Sequence, residues 1–142
     1  MQIDSIDNGI VIDHIRAGFG LKVVEYLSID TENSTVAVIM NAISKKHGRK
    51  DIVKVENLTD ADIDLKALGL VAPNATVSII KNHKLVSKTQ HPLPERVKNI
   101  IRCKNPRCVT SIEAVANIFY KVNESGMYRC EYCDHIVRQN DL

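Results

Sequence analysis

Four cysteines near the C-terminal end restrict this chain more than any other feature: Cys103, Cys108, Cys130 and Cys133, spaced C-x4-C, then twenty-one residues, then C-x2-C. Two short knuckles, separated by a stretch long enough to double back, bring four thiolates to the corners of a tetrahedron. That is the arrangement Zn2+ takes in closed structural sites, where no coordination position is left for chemistry. No other cysteine exists to compete. The opposing reading is two disulfides. Met1-Gln2-Ile3-Asp4 carries neither the basic nor the apolar stretch of a secretory leader, so a reducing cytoplasmic setting and one structural Zn2+ are expected.

At 142 residues, 44% apolar and 25% charged, the composition suits one ordinary globular domain or two small ones. No apolar run approaches a membrane span. The formal net charge is +2, and four thiolates with one Zn2+ subtract two more. Neither half has a dominant charge, since residues 1–94 hold eleven acids and eleven bases and residues 95–142 six acids and eight bases. A generic nucleic-acid binder is usually more basic. Six aromatic residues and no Trp also leave few platforms on which bases stack.

Gln90-His91-Pro92-Leu93-Pro94 breaks the strand-like pattern before it, which places a domain boundary near residue 94. The segment 95–142 is too short to rest on an apolar core alone, so its folding is expected to depend on metal. Upstream, Gly9–Ile15 is β-branched and reads as a strand. Ala17–Leu27 has Phe19, Val23, Tyr26 and Leu27 at helical spacing. Two strands follow, Thr35–Met40 and Asp51–Glu56, joined by a polar loop over Asn41–Lys50. Thr59 caps a helix through Leu70, with Asp60 and Asp62 in its first turn. Thr76–Ile80 is a strand, with Lys84–Ser87 as its hairpin partner. The order β-α-β-β-α-β is that of the ferredoxin-like split unit with one strand added. The metal segment lacks a helix signal; Ser111–Val122, Gly126–Arg129 and His135–Arg138 read as strands of a small antiparallel sheet. The fold class expected is α+β, a ferredoxin-like domain followed by a small all-β zinc domain.

Asp13 and His14 interrupt an apolar strand, and Lys54 and Lys88 fall within two others. Adjacent strand residues face opposite ways, so Asp13 and His14 share a pocket wall only where the strand twists or ends. Two readings stand. In one, all four residues lie on the solvent face of a one-sided sheet. In the other, an acid accepting ribose hydroxyls and lysines facing phosphates converge on an anionic sugar ligand. The run Lys45-Lys46-His47-Gly48-Arg49-Lys50 is the densest positive cluster, either a solvated loop or a phosphate or nucleic-acid contact. Gly18 and Gly20 lack the rest of a nucleotide fingerprint. With every cysteine needed by the metal and no nucleophile beside a base, catalysis is not expected. The competing functions are a zinc-ribbon nucleic-acid-binding protein and, further off, a zinc hydrolase with one cysteine released from the metal.

Five separated motifs add a family resemblance over nearly the whole chain. Val11-Ile12-Asp13-His14-Ile15, Gly48-Arg49-Lys50-Asp51-Ile52-Val53-Lys54-Val55-Glu56-Asn57, Pro73-Asn74-Ala75-Thr76-Val77, Leu93-Pro94-Glu95-Arg96-Val97 and the four cysteines occur in the order and spacing of the regulatory chain of aspartate carbamoyltransferase, which this sequence closely resembles. The resemblance implies a chain that does no chemistry itself. Its N-terminal domain, residues 1–94, binds nucleotide effectors (CTP, UTP, ATP) and pairs with a second regulatory chain as a homodimer. Its zinc domain, residues 95–142, docks on the catalytic chains and carries feedback control of pyrimidine synthesis. It implies further that Asp13 holds the ribose hydroxyls, Lys54 the ribose and base edge, and Lys88 the phosphates with help from His14. Ile6, Ile80, His83 and Leu85 then contact the base. His83 stands where the enterobacterial form has tyrosine, and Ser78 where it has asparagine. A basic N-terminal extension of that form has no counterpart ahead of Met1. Asn105 and Tyr132 match docking positions in the two knuckles, while Glu131 and His135 replace lysines and Asp134 a glutamate. Neither nucleic acid nor membrane is an expected partner.

Overall fold

The computed structural model describes residues 5–45 and 48–142. The chain divides into two compact units, residues 1–92 and 93–142. Among the described residues, no helix is long and apolar enough to cross a membrane.

Among the described residues, the N-terminal unit is a five-stranded antiparallel sheet with two short helices. Its elements are β1 (Gly9–Arg16), α1 (Gly20–Tyr26), β2 (Val36–Ser44), β3 (Gly48–Glu56), α2 (Leu65–Val71), β4 (Thr76–Lys81) and β5 (Lys84–Gln90), in the sheet order β2-β3-β1-β4-β5. The first four strands have the ferredoxin-like order, and β5 extends the sheet beyond β4. Alternation decides the faces: Ile10, Ile12, Val53, Val55, Val77 and Ile79 are buried, and Val23, Leu68 and Leu70 of the helices are buried with them. The residues in between, Val11, Asp13, Lys54, Ser78 and Ile80, are only partly covered. The sheet therefore has one sealed face and one open face.

Three strand irregularities interrupt the alternation. The β1–β3 pairing shifts between Ile12 and Ile15, the β2–β3 pairing between Ile39 and Ala42, and the β4–β5 pairing between Ile79 and Ile80. His14 and Asn41 take φ of 60° within the first two. Each added residue resets which side chains share a face.

Local structure departs from the sequence reading at several places. The loop expected over Asn41–Lys50 is mostly strand, because β2 runs on to Ser44 and β3 starts at Gly48. The helix expected from Ala17 starts at Gly20, because the buried carboxylate of Asp51 takes the Gly18 and Gly20 amides, both at 2.9 Å, and the Asn41 amide at 2.8 Å. The helix expected over Thr59–Leu70 is two pieces. Thr59 opens a single 3-10 turn, Asp60–Asp62, its amide donating to Asp62 Oδ2 at 2.9 Å, and Asp64 caps α2 by accepting from the Lys66 and Ala67 amides.

The C-terminal unit is a four-stranded antiparallel sheet, β6 (Arg96–Lys98), β7 (Ile118–Lys121), β8 (Met127–Cys130) and β9 (Ile136–Arg138), in that order. The segment expected as one strand over Ser111–Val122 instead holds the end of a one-turn helix, α3 (Val109–Ile112), and only later β7. Val97, Phe119 and Tyr128 form its small core. The Tyr128 hydroxyl donates to the Pro94 carbonyl at 2.6 Å, and burial pushes this phenol up to about 12.

Candidate nucleotide site and metal centre

The metal centre assembles from four places in the second unit. Cys103 and Cys108 flank a loop in which Asn105 Oδ1 accepts the Arg107 amide at 3.1 Å and the Asn105 carbonyl accepts the Cys108 amide at 3.1 Å. Cys130 ends β8, and its carbonyl accepts the Asp134 amide at 3.0 Å, with Asp134 at φ 60°. Asn117 Oδ1 fixes the Cys103 amide at 3.0 Å, and the Asn99 side chain fixes the Asn117 amide. The result is four Sγ atoms within 4.8 Å of one another.

Two of the separations decide between zinc and disulfides. Cys103 Sγ lies 3.6 Å from Cys133 Sγ, and Cys108 Sγ lies 3.7 Å from Cys130 Sγ. A tetrahedron with Zn–S bonds of about 2.3 Å has edges of about 3.8 Å. A disulfide needs about 2.0 Å. Thiols this close ionise unequally on their own: burial pushes Cys103 up to about 12, whereas Thr110, donating to Cys108 Sγ at 3.2 Å, brings that thiol down to about 7. A dication makes ionisation of all four favourable together. The donor set fits a structural Zn2+ held by Cys103, Cys108, Cys130 and Cys133.

In the N-terminal unit, strand register does what sequence position cannot. Lys54 of β3 pairs with Val11 of β1, Val11 with Ser78 of β4, and Ser78 with Lys88 of β5. Directly paired residues point to the same face, so both lysines lie in one row on the open face. They are separated by three strand spacings, roughly 14 Å. Ile80 pairs with Leu85 in the neighbouring row. Leu85 and Lys88 are three residues apart, which in a regular strand puts them on opposite faces. The irregularity at Val86 brings both to this one.

On the other side of the lysine row, Asp13 pairs with Thr76. The His14 amide donates to Asp13 Oδ1 at 2.6 Å, and His14 Nδ1 lies 3.4 Å from Thr76 Oγ1. The β1 irregularity thus brings Asp13 and the adjacent His14 to one wall. Lys50 Nζ lies 2.9 Å from Asp13 Oδ1. Burial acts to raise the Asp13 carboxyl, but the Lys50 ammonium and the His14 amide outweigh it and hold the carboxyl below its usual value. Lys50 is absent from the site expected from sequence; its phase with Lys54, four residues on in the same strand, is the signal that points to it.

At the far end of the sheet, the Asn82-His83 turn of the β4–β5 hairpin has φ of 51° and 65°. The Asn82 amide donates to Asn8 Oδ1 at 3.1 Å, the His83 amide to the Asp7 carbonyl at 3.0 Å, and His83 Nδ1 lies 2.9 Å from Asp7 Oδ1. Ile6 is buried beside Gly9, where an added Cβ would run into the Val55 carbonyl. The segment 5–8, which carries Ile6, is therefore tied to the same hairpin that carries His83 and Leu85.

The described residues of the basic run divide between two directions. Lys50 is tied to Asp13, its neighbour Arg49 faces the other way and donates to the Asn41 carbonyl at 3.2 Å, and Lys46 and His47 lie outside the described residues.

Comparison with known proteins bears on both units. Residues 1–91 match the family model described as the aspartate carbamoyltransferase regulatory chain, allosteric domain, and residues 95–142 match the metal binding domain of the same regulatory chain. A regulatory chain of this kind from Clostridium acetobutylicum is 51% identical over 140 residues, covering 97% of this chain and 94% of the relative. One from Bifidobacterium longum is 50% identical over 136 residues, covering 94% and 96%. One from Clostridium botulinum is 49% identical over 144 residues, covering 100% and 97%.

Proposed function

The chain belongs to the family of aspartate carbamoyltransferase regulatory chains, and from that premise we propose how its two units divide the work. It is a non-catalytic chain that associates with the catalytic chains of that enzyme, and regulation by nucleotide effectors is what the family implies. In our reading the N-terminal unit binds CTP, UTP or ATP on the open face of its sheet. Lys88 and His14 take the phosphates, Asp13 the ribose hydroxyls, Lys54 the ribose and base edge, and Ile6, Ile80, His83 and Leu85 the base. The observation that carries this is the single row holding Lys54 and Lys88, flanked by Ile80 and Leu85 on one side and Asp13 on the other. Two ammonium groups on one face favour a polyanion, and the carboxylate beside them favours a ligand that also has hydroxyls to donate.

The same unit pairs with a second regulatory chain through an open sheet edge. Strand β2 offers one, with Met40 and Ile43 exposed. The C-terminal unit, held rigid by Zn2+, docks on the catalytic chain through its knuckles, where Asn105 and the half-exposed Tyr132 lie. The setting is cytoplasmic, where thiols stay reduced and free to hold a metal. Control requires two quaternary states that bind the nucleotide unequally, because equal affinity for both shifts nothing. Coupling of this kind amounts to about 1–3 kcal/mol.

Calorimetry on the full, zinc-loaded chain tests the site. CTP and ATP bind the parent chain, and Lys88→Ala and Asp13→Ala each weaken binding by roughly 10- to 100-fold, the value of one hydrogen bond to a charged group. Unchanged affinity in both variants removes the assignment.

A further inference from the structure

Two neighbouring hydroxyls on α3 serve the first cysteine knuckle in different ways. Ser111 Oγ donates to the Asn105 carbonyl at 2.8 Å, the same carbonyl that accepts the Cys108 amide, so it holds the backbone of the loop. Thr110 Oγ1 instead reaches back to Cys108 Sγ at 3.2 Å. Among the described residues, Thr110 is the one whose hydroxyl meets a cysteine sulfur. A metal-bound thiolate carries no proton, so in the loaded centre this hydroxyl can only donate. Four thiolates around one Zn2+ leave an excess of negative charge, and Cys108 and Cys130 hold their share of it at 2% and 0% exposure. Charge buried that deeply is costly unless hydrogen-bond donors face it.

We propose that Thr110 is a positioning residue of the metal centre: its hydroxyl draws charge from Cys108 Sγ, fixes the direction of that sulfur's lone pairs, and so strengthens the hold of the C-terminal unit on Zn2+. This rests on the four-cysteine zinc reading above. Thr110 touches no metal itself. It acts through Cys108, as a hydrogen-bonding partner behind a ligand does at other metal sites. Ser111 is its internal control, one residue on in the same helical turn and bonded to backbone in place of sulfur.

The test uses the full chain loaded with Zn2+ or Co2+. Thr110→Val keeps the shape of the side chain and removes the donor, and Thr110→Ser keeps the donor. In competition with a chromophoric chelator, Thr110→Val holds Zn2+ about 10- to 100-fold more weakly than the parent. Its sulfur-to-cobalt charge-transfer band moves to longer wavelength, because a sulfur without that hydrogen bond gives up an electron more readily. Thr110→Ala shows the same loss and the same shift, while Thr110→Ser keeps the parent affinity and band. Ser111→Ala leaves the band in place. An unmoved band in both Thr110→Val and Thr110→Ala overturns the proposal, since a loss of affinity alone marks a packing role. Zn2+ affinity equal to the parent's in both variants overturns it as well, and so does a Thr110→Ser chain that behaves like Thr110→Val. A parent chain that shows no such band with Co2+ fails the four-sulfur assignment itself, and this proposal with it.

Discussion

The two units are held together by different means. In the N-terminal unit the sealed face of a five-stranded sheet is covered by α1 and α2, with Ile10, Ile12, Val53, Leu68 and Leu70 nearly inaccessible to solvent. In the C-terminal unit the strands span three or four residues each, and Val97, Ile101, Ile118, Phe119 and Tyr128 are buried beside Cys108 and Cys130. A unit that small rarely stands on apolar burial alone. The difference teaches where each unit can tolerate function. The larger core seals one sheet face and leaves Val11, Asp13, Lys54 and Ser78 partly exposed on the other, while the smaller unit commits its cysteines to holding itself in shape.

Removing the metal tests that contrast hardest. Chelation, or Cys130→Ser, should unfold the C-terminal unit, since structural zinc binding is worth about 10–16 kcal/mol in small domains. Hydrogen exchange should show β6–β9 losing protection while β1–β5 keep theirs, and the chain should no longer co-purify with catalytic chains. A Cys130→Ser chain that still assembles at normal stoichiometry contradicts the division of labour.

A smaller effect is expected from Phe119→Ala, which empties the core of the metal unit at a cost of about 3–5 kcal/mol. With zinc bound, the unit should survive this, and circular dichroism should show it lost only when chelator is added at concentrations the parent withstands. Equal chelator sensitivity would mean that the core contributes little.

Asp51→Ala probes the other unit. It leaves the amides of Gly18, Gly20 and Asn41 without their acceptor, a loss of about 2–4 kcal/mol, read as a lower urea midpoint with the slope unchanged. Asp51→Asn, which keeps one acceptor oxygen, should lose less.

The smallest effect concerns pH. The folded Asp13 carboxyl lies below its ordinary value of 3.8, so its contribution to stability is present above that value and is lost as pH falls through the folded one. Lys50→Ala removes the main opposing charge and leaves burial to act, so the Asp13 titration should move upward in a carbon-detected NMR titration. The stability at stake is below about 1 kcal/mol, because the pair is partly exposed. An unmoved titration would mean that Lys50 does not hold this carboxylate.

Much of this was legible in one dimension. The cysteine spacing pointed to the metal centre, and apolar alternation located most strands, because both signals are local. The misses share a cause. The polar run after Asn41 reads as a loop by composition, yet β2 and β3 pair across it. Asp51 reads as the edge of a strand, although its phase with Val53 and Val55 turns it into the core, where it shortens α1 by capturing two amides. Thr59 and Asp64 are both good caps, and only the fold shows that each serves its own turn.

The sequence by itself determined the ligand set of the metal and the order of strands and helices in the N-terminal unit, since residue type and short spacing suffice for these. Only the tertiary structure decided that Lys54 and Lys88 share a row, that Asp13 and His14 share a wall, that Leu85 joins Lys88 on one face, and that Asp7 meets His83. The physical reason is register. A single extra residue in a strand reverses the face of everything beyond it, and which strand takes that residue is settled by pairing between segments far apart in the chain.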